Sequence, residues 1–179
     1  GVPLAHLDPL LADGVGFSGP SIVGSGLPRV GPRSEYCARG YASTVTPLPW
    51  MPGVARVVCD GFVNGQPFDA CPRQVLKRAI ARLAERGWHL RAGVGPEFFL
   101  LRGDGGRWQP AVPLDRLNKP SCYLKSLSRQ QGLLHEMQSA LAQCGLDVLQ
   151  IDHEDAHGQY ELNFGFDEAL ASADHLMLF

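Results

Sequence analysis

The sequence predicts an α+β fold in which most strands pair antiparallel. Three observations carry that expectation. Two stretches, 72–87 and 128–145, repeat apolar residues at helical spacing. Two strand-like stretches between 148 and 164 follow one another with only a turn between them, as a hairpin requires. The first fifty residues are rich in glycine and proline, as in GVGFSGPSIVGSGLPRVGP, which is loop chemistry with short extended pieces.

Taken in order, ARVVCDGFVNGQPF (55–68) reads as a strand, a turn at Asn64-Gly65 and a second short strand. Pro72 suits the first turn of a helix. Val75, Leu76, Ala79, Ile80 and Leu83 form its apolar stripe, and Gly87 is placed to end it. WHLRAGVGPEFFLL (88–101) reads as a strand and GDGG (103–106) as a turn. Residues 107–125 hold three prolines and read as a loop. Ser128 is placed to cap a helix with the stripe Leu133, Leu134, Met137, Leu141 and Cys144, ended by Gly145. LDVLQIDHE and QYELNF read as strands, and Asp167 is placed to cap a last helix, EALASADHLMLF.

Composition narrows the function. Of 179 residues, 45% are apolar and 19% charged, a globular balance. The net charge of -2 comes with no basic run, so no nucleic-acid partner is expected. The apolar runs fall short of the roughly 18 residues of a membrane span, and no basic amphipathic helix suggests a membrane surface. The N-terminus lacks the basic start and apolar core of a signal peptide. Five cysteines, Cys37, Cys59, Cys71, Cys122 and Cys144, form no CxxC, so neither a disulfide framework nor a zinc knuckle is expected. A reduced, cytoplasmic setting fits. The chain begins at Gly1 and stops within the apolar HLMLF, so both ends read as cut.

The densest chemistry is DHEDAHGQYE (152–161). With the turn centred on His157-Gly158, Glu154 is expected opposite Glu161 and Asp152 opposite Asn163. Side chains two apart share a face. Ile151, Tyr160, Leu162 and Phe164 are expected to face inward, and Asp152, Glu154, Glu161 and Asn163 the other way. Like charges directly opposite one another destabilise a sheet. Two readings stay open: a solvated face screened by water and salt, or oxygen ligands for magnesium or manganese. Glu97, between Pro96 and Phe98 in GVGPEFF, is a third candidate ligand if its strand lies alongside. His153 reads as a hydrogen-bonded, partly buried histidine, and His157 as a turn residue.

These residues resemble the glutamine synthetase family. GVGPEFFLL is similar to its G-x-E-P-E-F-F strand, and DHEDAHGQYELNF to its H-E-x(3)-G-Q-x-E strand pair. LPWMPGVARVVCD with PRQVLKRAIARLAERG resembles the stretch joining its N-terminal and catalytic domains, and GVGFSGPSIVGSG its G-x-x-F-D-G-S-S-I-x-G loop. LNKPSCYLKSLSR and IDHEDAHGQYELNF are most similar to the type III glutamate–ammonia ligase branch. The likeness runs over roughly 1–179, in the family's order.

The resemblance implies a β-grasp-like N-terminal domain over 1–70, its first strand missing. It implies the first part of a catalytic domain, a curved antiparallel sheet with helices, over 71–179. It implies ATP-dependent joining of glutamate and ammonia through γ-glutamyl phosphate, with Mg2+ or Mn2+, in homo-oligomeric rings. Glu97, Glu154 and Glu161 match the three glutamates that hold one metal. Gly95 stands where the family has a glutamate ligand of the second metal. Ser18 stands where the loop aspartate tied to ammonium binding would be, and Ser21 matches a loop serine. The family's nucleotide-binding strands and substrate arginines follow later in its order, so no catalytic set is complete in these residues and the chain alone is expected to be inactive. Two alternatives belong beside this reading: a non-catalytic metal-binding or assembly paralogue, and a γ-glutamyl ligase for another amine.

Overall fold

A computed structural model of the chain describes residues 1–19, 23–27 and 35–179, and its elements fall into two compact units, Gly1–Leu90 and Arg91–Phe179. Every strand pairing among the described residues is antiparallel, and helices accompany the sheets in both units, which makes the chain α+β. No helix among the described residues is long and apolar enough to cross a membrane.

In the first unit, α1 (Leu7–Ala12) precedes β1 (Val15–Phe17) and β2 (Tyr36–Gly40). After a short pair, β3 (Thr46–Pro47) and β4 (Ala55–Arg56), come β5 (Cys59–Val63), β6 (Gln66–Pro67) and α2 (Pro72–Ala84). The main sheet runs β1-β2-β5-β6. β5 and β6 join through Asn64-Gly65, both at positive φ (53° and 72°), the geometry an Asn-Gly turn supplies. The helix starts at Pro72 as expected, but its stripe is displaced: Val75 and Ala79 are exposed, and Gln74 is buried in their place.

The reason lies in a charged knot on the other side of that helix. Asp60, only 2% exposed, takes an ion pair from Arg73 at 2.5 Å, another from Lys77 and the Tyr41 hydroxyl at 2.5 Å. Both cations also lie over the Tyr41 ring. Burial works to raise the Asp60 carboxyl, and the hydrogen bonds from Lys77, Tyr41 and Arg73 outweigh it, holding the group below the usual aspartate value.

In the second unit come β7 (Arg91–Ala92), β8 (Glu97–Phe99), β9 (Leu101–Asp104) and β10 (Arg107–Pro110), then α3 (Leu124–Arg129) and α4 (Gln131–Gln143). β11 (Val148–His153), β12 (Gln159–Phe164), β13 (Asp167–Glu168) and α5 (Ala169–Leu176) complete it. The stretch expected as one strand over 88–101 is two: β7 pairs with β13, and β8 lies on β12. The stretch expected as a loop over 107–125 contains β10, which closes a hairpin with β9, and the start of α3. Its prolines stand at or between element ends, where a missing N–H costs nothing.

Ser128 does not cap a helix. It lies inside α3, its hydroxyl donating to Leu124 O at 2.7 Å, and α4 starts three residues later. Asp167 is likewise in β13, its carboxylate accepting from the Glu168 amide at 2.7 Å. The core gathers Leu134 and Leu141 of α4, Leu146, Val148, and Tyr160, Leu162 and Phe164 of β12. Phe179 joins it, 5.6 Å from the Phe98 ring and 5.8 Å from Phe164.

Candidate metal centre

Strand β12 runs between β11 and β8, so its side chains set the character of both faces of a three-stranded sheet. Tyr160 and Leu162 are fully buried, and Ile151 and His153 of β11 share their face. Alternation then sends Asp152, Glu161 and Asn163 to the opposite face, where Glu97 of β8 pairs directly with Glu161.

The register differs from the expectation. Asp152, not Glu154, stands opposite Glu161, and Gln150, not Asp152, opposite Asn163. The tight turn itself is where the Gly signal placed it, with Gln159 N–H donating to Ala156 O at 3.1 Å across His157-Gly158. The ladder resumes only at Glu154, whose N–H donates to Gln159 O at 2.9 Å. Asp155 and Ala156 are thus extra residues on one side. They are accommodated because Gln159 Oε1 accepts the Ala156 N–H at 3.0 Å, in place of a ladder bond. A slip of two residues leaves each side chain on its original face.

Glu154, just past the end of β11, folds back towards its neighbours. One carboxylate oxygen each of Glu97, Glu154 and Glu161 lies within 4.8 Å of the others. Gln159 Nε2 donates to Glu97 Oε2. Two unit charges 4.8 Å apart repel by roughly 3.5 kcal/mol at an effective dielectric constant of about 20 and by about 1 kcal/mol in bulk water. Exposed Glu97 sits nearer the lower figure. Burial first, then a shared hydrogen bond with Glu161 and the charges of Glu161, Glu97 and Asp155, hold the Glu154 carboxyl above the usual glutamate value. The donor set suits a hard divalent ion. Oxygens around an octahedral ion with bonds of about 2.0–2.1 Å lie about 3–4 Å apart, a small side-chain adjustment from the arrangement seen.

Gly95 lies beside this face. A Cβ there would collide with Glu161 Oε1 and stand 2.5 Å from Asn163 Oδ1, so Glu161 fills the space a side chain at 95 would use. Ser18 is exposed in the first unit, after β1. Ser21 lies outside the described residues.

Beneath the trio is a feature the sequence reading missed. Asp115 and His153, each 1% exposed, meet at 2.7 Å between Oδ2 and Nε2. The other ring nitrogen faces Pro120 O at 2.8 Å, and Asp115 Oδ2 also accepts the Gly158 N–H at 2.6 Å. Both ring nitrogens thus face oxygen atoms that can accept a hydrogen bond. Burial works to raise the Asp115 carboxyl, and His153, the Gly158 N–H and the charge of His157 together bring it below its usual value. His157 is in the turn, as expected, its Nε2 donating to Leu117 O at 2.7 Å. No local pattern marks Asp115, because its partners lie 38 and 43 residues away.

The three carboxylates on an antiparallel sheet backed by helices offer the oxygen atoms that a hard divalent ion takes, and comparison places the chain in a family. It belongs to the glutamine synthetase family: the description "glutamine synthetase, catalytic domain" matches residues 69–179. It is 44% identical over 179 residues to the glutamate–methylamine ligase of Methyloversatilis universalis, covering 99% of this chain and 40% of that one. It is 34% identical over 173 residues to a glutamine synthetase of Rhizobium leguminosarum bv. phaseoli, covering 97% and 39%. A solved structure of GmaS with ADP superposes with a TM-score of 0.85 at 32% identity, covering 97% of this chain and 39% of that one. The chain therefore spans about 40% of the length of the relatives it matches.

Proposed function

We propose that these residues are part of an ATP-dependent glutamate–amine ligase working through γ-glutamyl phosphate, in which Glu97, Glu154 and Glu161 hold one Mg2+ or Mn2+. The observation that carries this is the convergence of three carboxylates from three separate segments within 4.8 Å, in a chain of this family. A divalent ion there would offset the repulsion among the three groups and screen charge on phosphoryl and carboxylate groups of the substrates. The chain's own part is to hold the oxygens on a rigid sheet, with Glu97 kept in place by Gln159. The same reading assigns residues 1–70 to a β-grasp-like domain and 71–179 to the front of the catalytic domain. It places the whole protein in a homo-oligomeric ring in the cytoplasm, in keeping with five cysteines that form no disulfide among the described residues.

Methylamine is preferred to ammonia as acceptor on one observation: identity to the methylamine ligase is 44%, against 34% to the Rhizobium leguminosarum glutamine synthetase. Ser18, in place of the family's loop aspartate, points the same way. The 179 residues alone are proposed to bind metal without turning over substrate. Mn2+ should raise the melting temperature of the chain, and Glu161→Gln should abolish the rise. In the full-length protein, glutamate- and ATP-dependent ligation should favour methylamine over ammonia at least tenfold in kcat/KM. Equal or reversed preference would overturn the amine assignment. Absence of any Mn2+ effect on the chain would instead favour a non-catalytic assembly subunit.

A further inference from the structure

Glu154 is the one member of the trio outside a strand. Glu97 opens β8 and Glu161 sits within β12, whereas Glu154 follows the last residue of β11. It nevertheless stays within 4.8 Å of two like charges. A loop side chain free to turn would relieve that repulsion by moving into water, so something holds the loop.

Both of its feet are tied to one buried atom. Asp115 Oδ2 meets His153 Nε2 at 2.7 Å, and His153 immediately precedes Glu154. The same oxygen accepts the amide of Gly158, the residue that ends the loop, at 2.6 Å. The segment that carries Asp115 adds further ties. His153 O accepts the Cys122 N–H at 2.8 Å, and Leu117 O accepts from His157 at 2.7 Å. Gly158 sits at φ 74°, and a Cβ there would lie 3.0 Å from Leu100 O, so the foot of the loop fits closely against its surroundings. Asp115 Oδ1 has no hydrogen-bond partner, so both contacts fall on Oδ2 alone.

We infer that Asp115 is a positioning residue for the carboxylate trio: it clamps the 154–158 loop shut and thereby keeps Glu154 facing Glu97 and Glu161. This rests on the metal reading proposed above. Asp115 touches no ligand of the ion and acts only through the loop.

The test is Mn2+ affinity of the 179-residue chain, measured from the free-ion electron-spin signal well below every melting temperature. Asp115→Ala should weaken binding roughly tenfold or more, the scale on which supporting groups act at metal sites. Asp115→Asn, whose amide oxygen can accept both contacts that now fall on Oδ2, should bind Mn2+ within about threefold of wild type, whereas Asp115→Leu, similar in shape but with neither contact, should match Asp115→Ala. Asp60→Ala, in residues 1–90 and outside the unit that holds the trio and its clamp, should destabilise its own unit and leave affinity unchanged. Should Asp115→Ala fail to fold, Asp115→Leu carries the comparison, and amide exchange at Gly158 in wild type reads the clamp directly. Asp115→Ala or Asp115→Leu binding Mn2+ like wild type, or a Gly158 amide exchanging as fast as an open loop, overturns the inference while leaving the metal reading intact. Wild type that binds no Mn2+, or binding untouched by Glu161→Gln, overturns the metal reading and this inference with it.

Discussion

At the scale of single residues, charge and space around the trio make two sharp predictions. Gly95→Ala adds a methyl where Glu161 Oε1 now lies. The carboxylate is the far end of a flexible side chain, so it can yield at little cost to the fold. Stability should change by no more than about 1 kcal/mol. Mn2+ affinity should fall about tenfold, equivalent to about 1.4 kcal/mol, because the displaced oxygen is a proposed ligand. Titration calorimetry beside a melting curve separates the two effects. The second prediction concerns pH. Glu154 has a folded-state value above its unfolded one, so the folded state binds more protons in the window between them. Its contribution therefore favours folding below that window and opposes folding above it. Without metal, Glu154→Gln should raise the melting temperature at pH 7 and lose that advantage at pH 4. An equal rise at both would show that repulsion is not what the glutamate contributes.

Among the elements, α4 and β12 do most to keep the carboxylate face in place from behind. Leu141 of α4 packs into the cluster that includes fully buried Leu162. Leu141→Ala should cost roughly 2–4 kcal/mol in chemical denaturation, a transfer loss plus a cavity. A loss under about 1 kcal/mol would mean that the helix holds the sheet less firmly than its burial implies. This level also shows what the sequence made legible. Face assignment depends on a period of two within one strand, so the inward set Ile151, Tyr160, Leu162 and Phe164 was readable. Register was not, because it depends on two extra residues accommodated by Gln159 and on a clamp from Asp115, distant in the chain. Likewise β10 and α3 were hidden by prolines that mark their boundaries, and a proline count cannot tell a boundary from an interior. The displaced stripe of α2 follows the same logic. Gln74 is buried because Arg73 and Lys77 turn towards Asp60, a partner that no helical periodicity contains.

For the whole molecule, the two units differ in what holds them and in what they can bind. All three proposed ligands and their clamp belong to residues 91–179, and the Asp60 knot to residues 1–90. A ligand stabilises only what it binds, by about 2.7 kcal/mol at a hundredfold excess over Kd. Mn2+ should therefore shift the unfolding of the second unit, followed through Trp108, and leave that of the first, followed through Trp50 and Trp88, in place. Asp60→Ala should do the reverse. It strips the carboxylate from two cations that are 15% and 31% exposed, and should cost the first unit roughly 2–3 kcal/mol. A shift of both transitions by Mn2+ would show that the units unfold as one.

The surplus of two residues at the hairpin has a bearing on how such a chain can drift. Pleat orientation has parity: a one-residue slip of β11 against β12 would turn one strand's charged side chains over, whereas a slip of two leaves them facing the same way. Length changes in the 154–158 loop are therefore tolerable as long as the pairing of β11 with β12 keeps its parity. An engineered two-residue extension between Asp155 and Ala156 should leave Tyr160 and Leu162 buried and Glu161 beside Glu97. That makes the loop a place where this fold can vary in length without forfeiting its charged face.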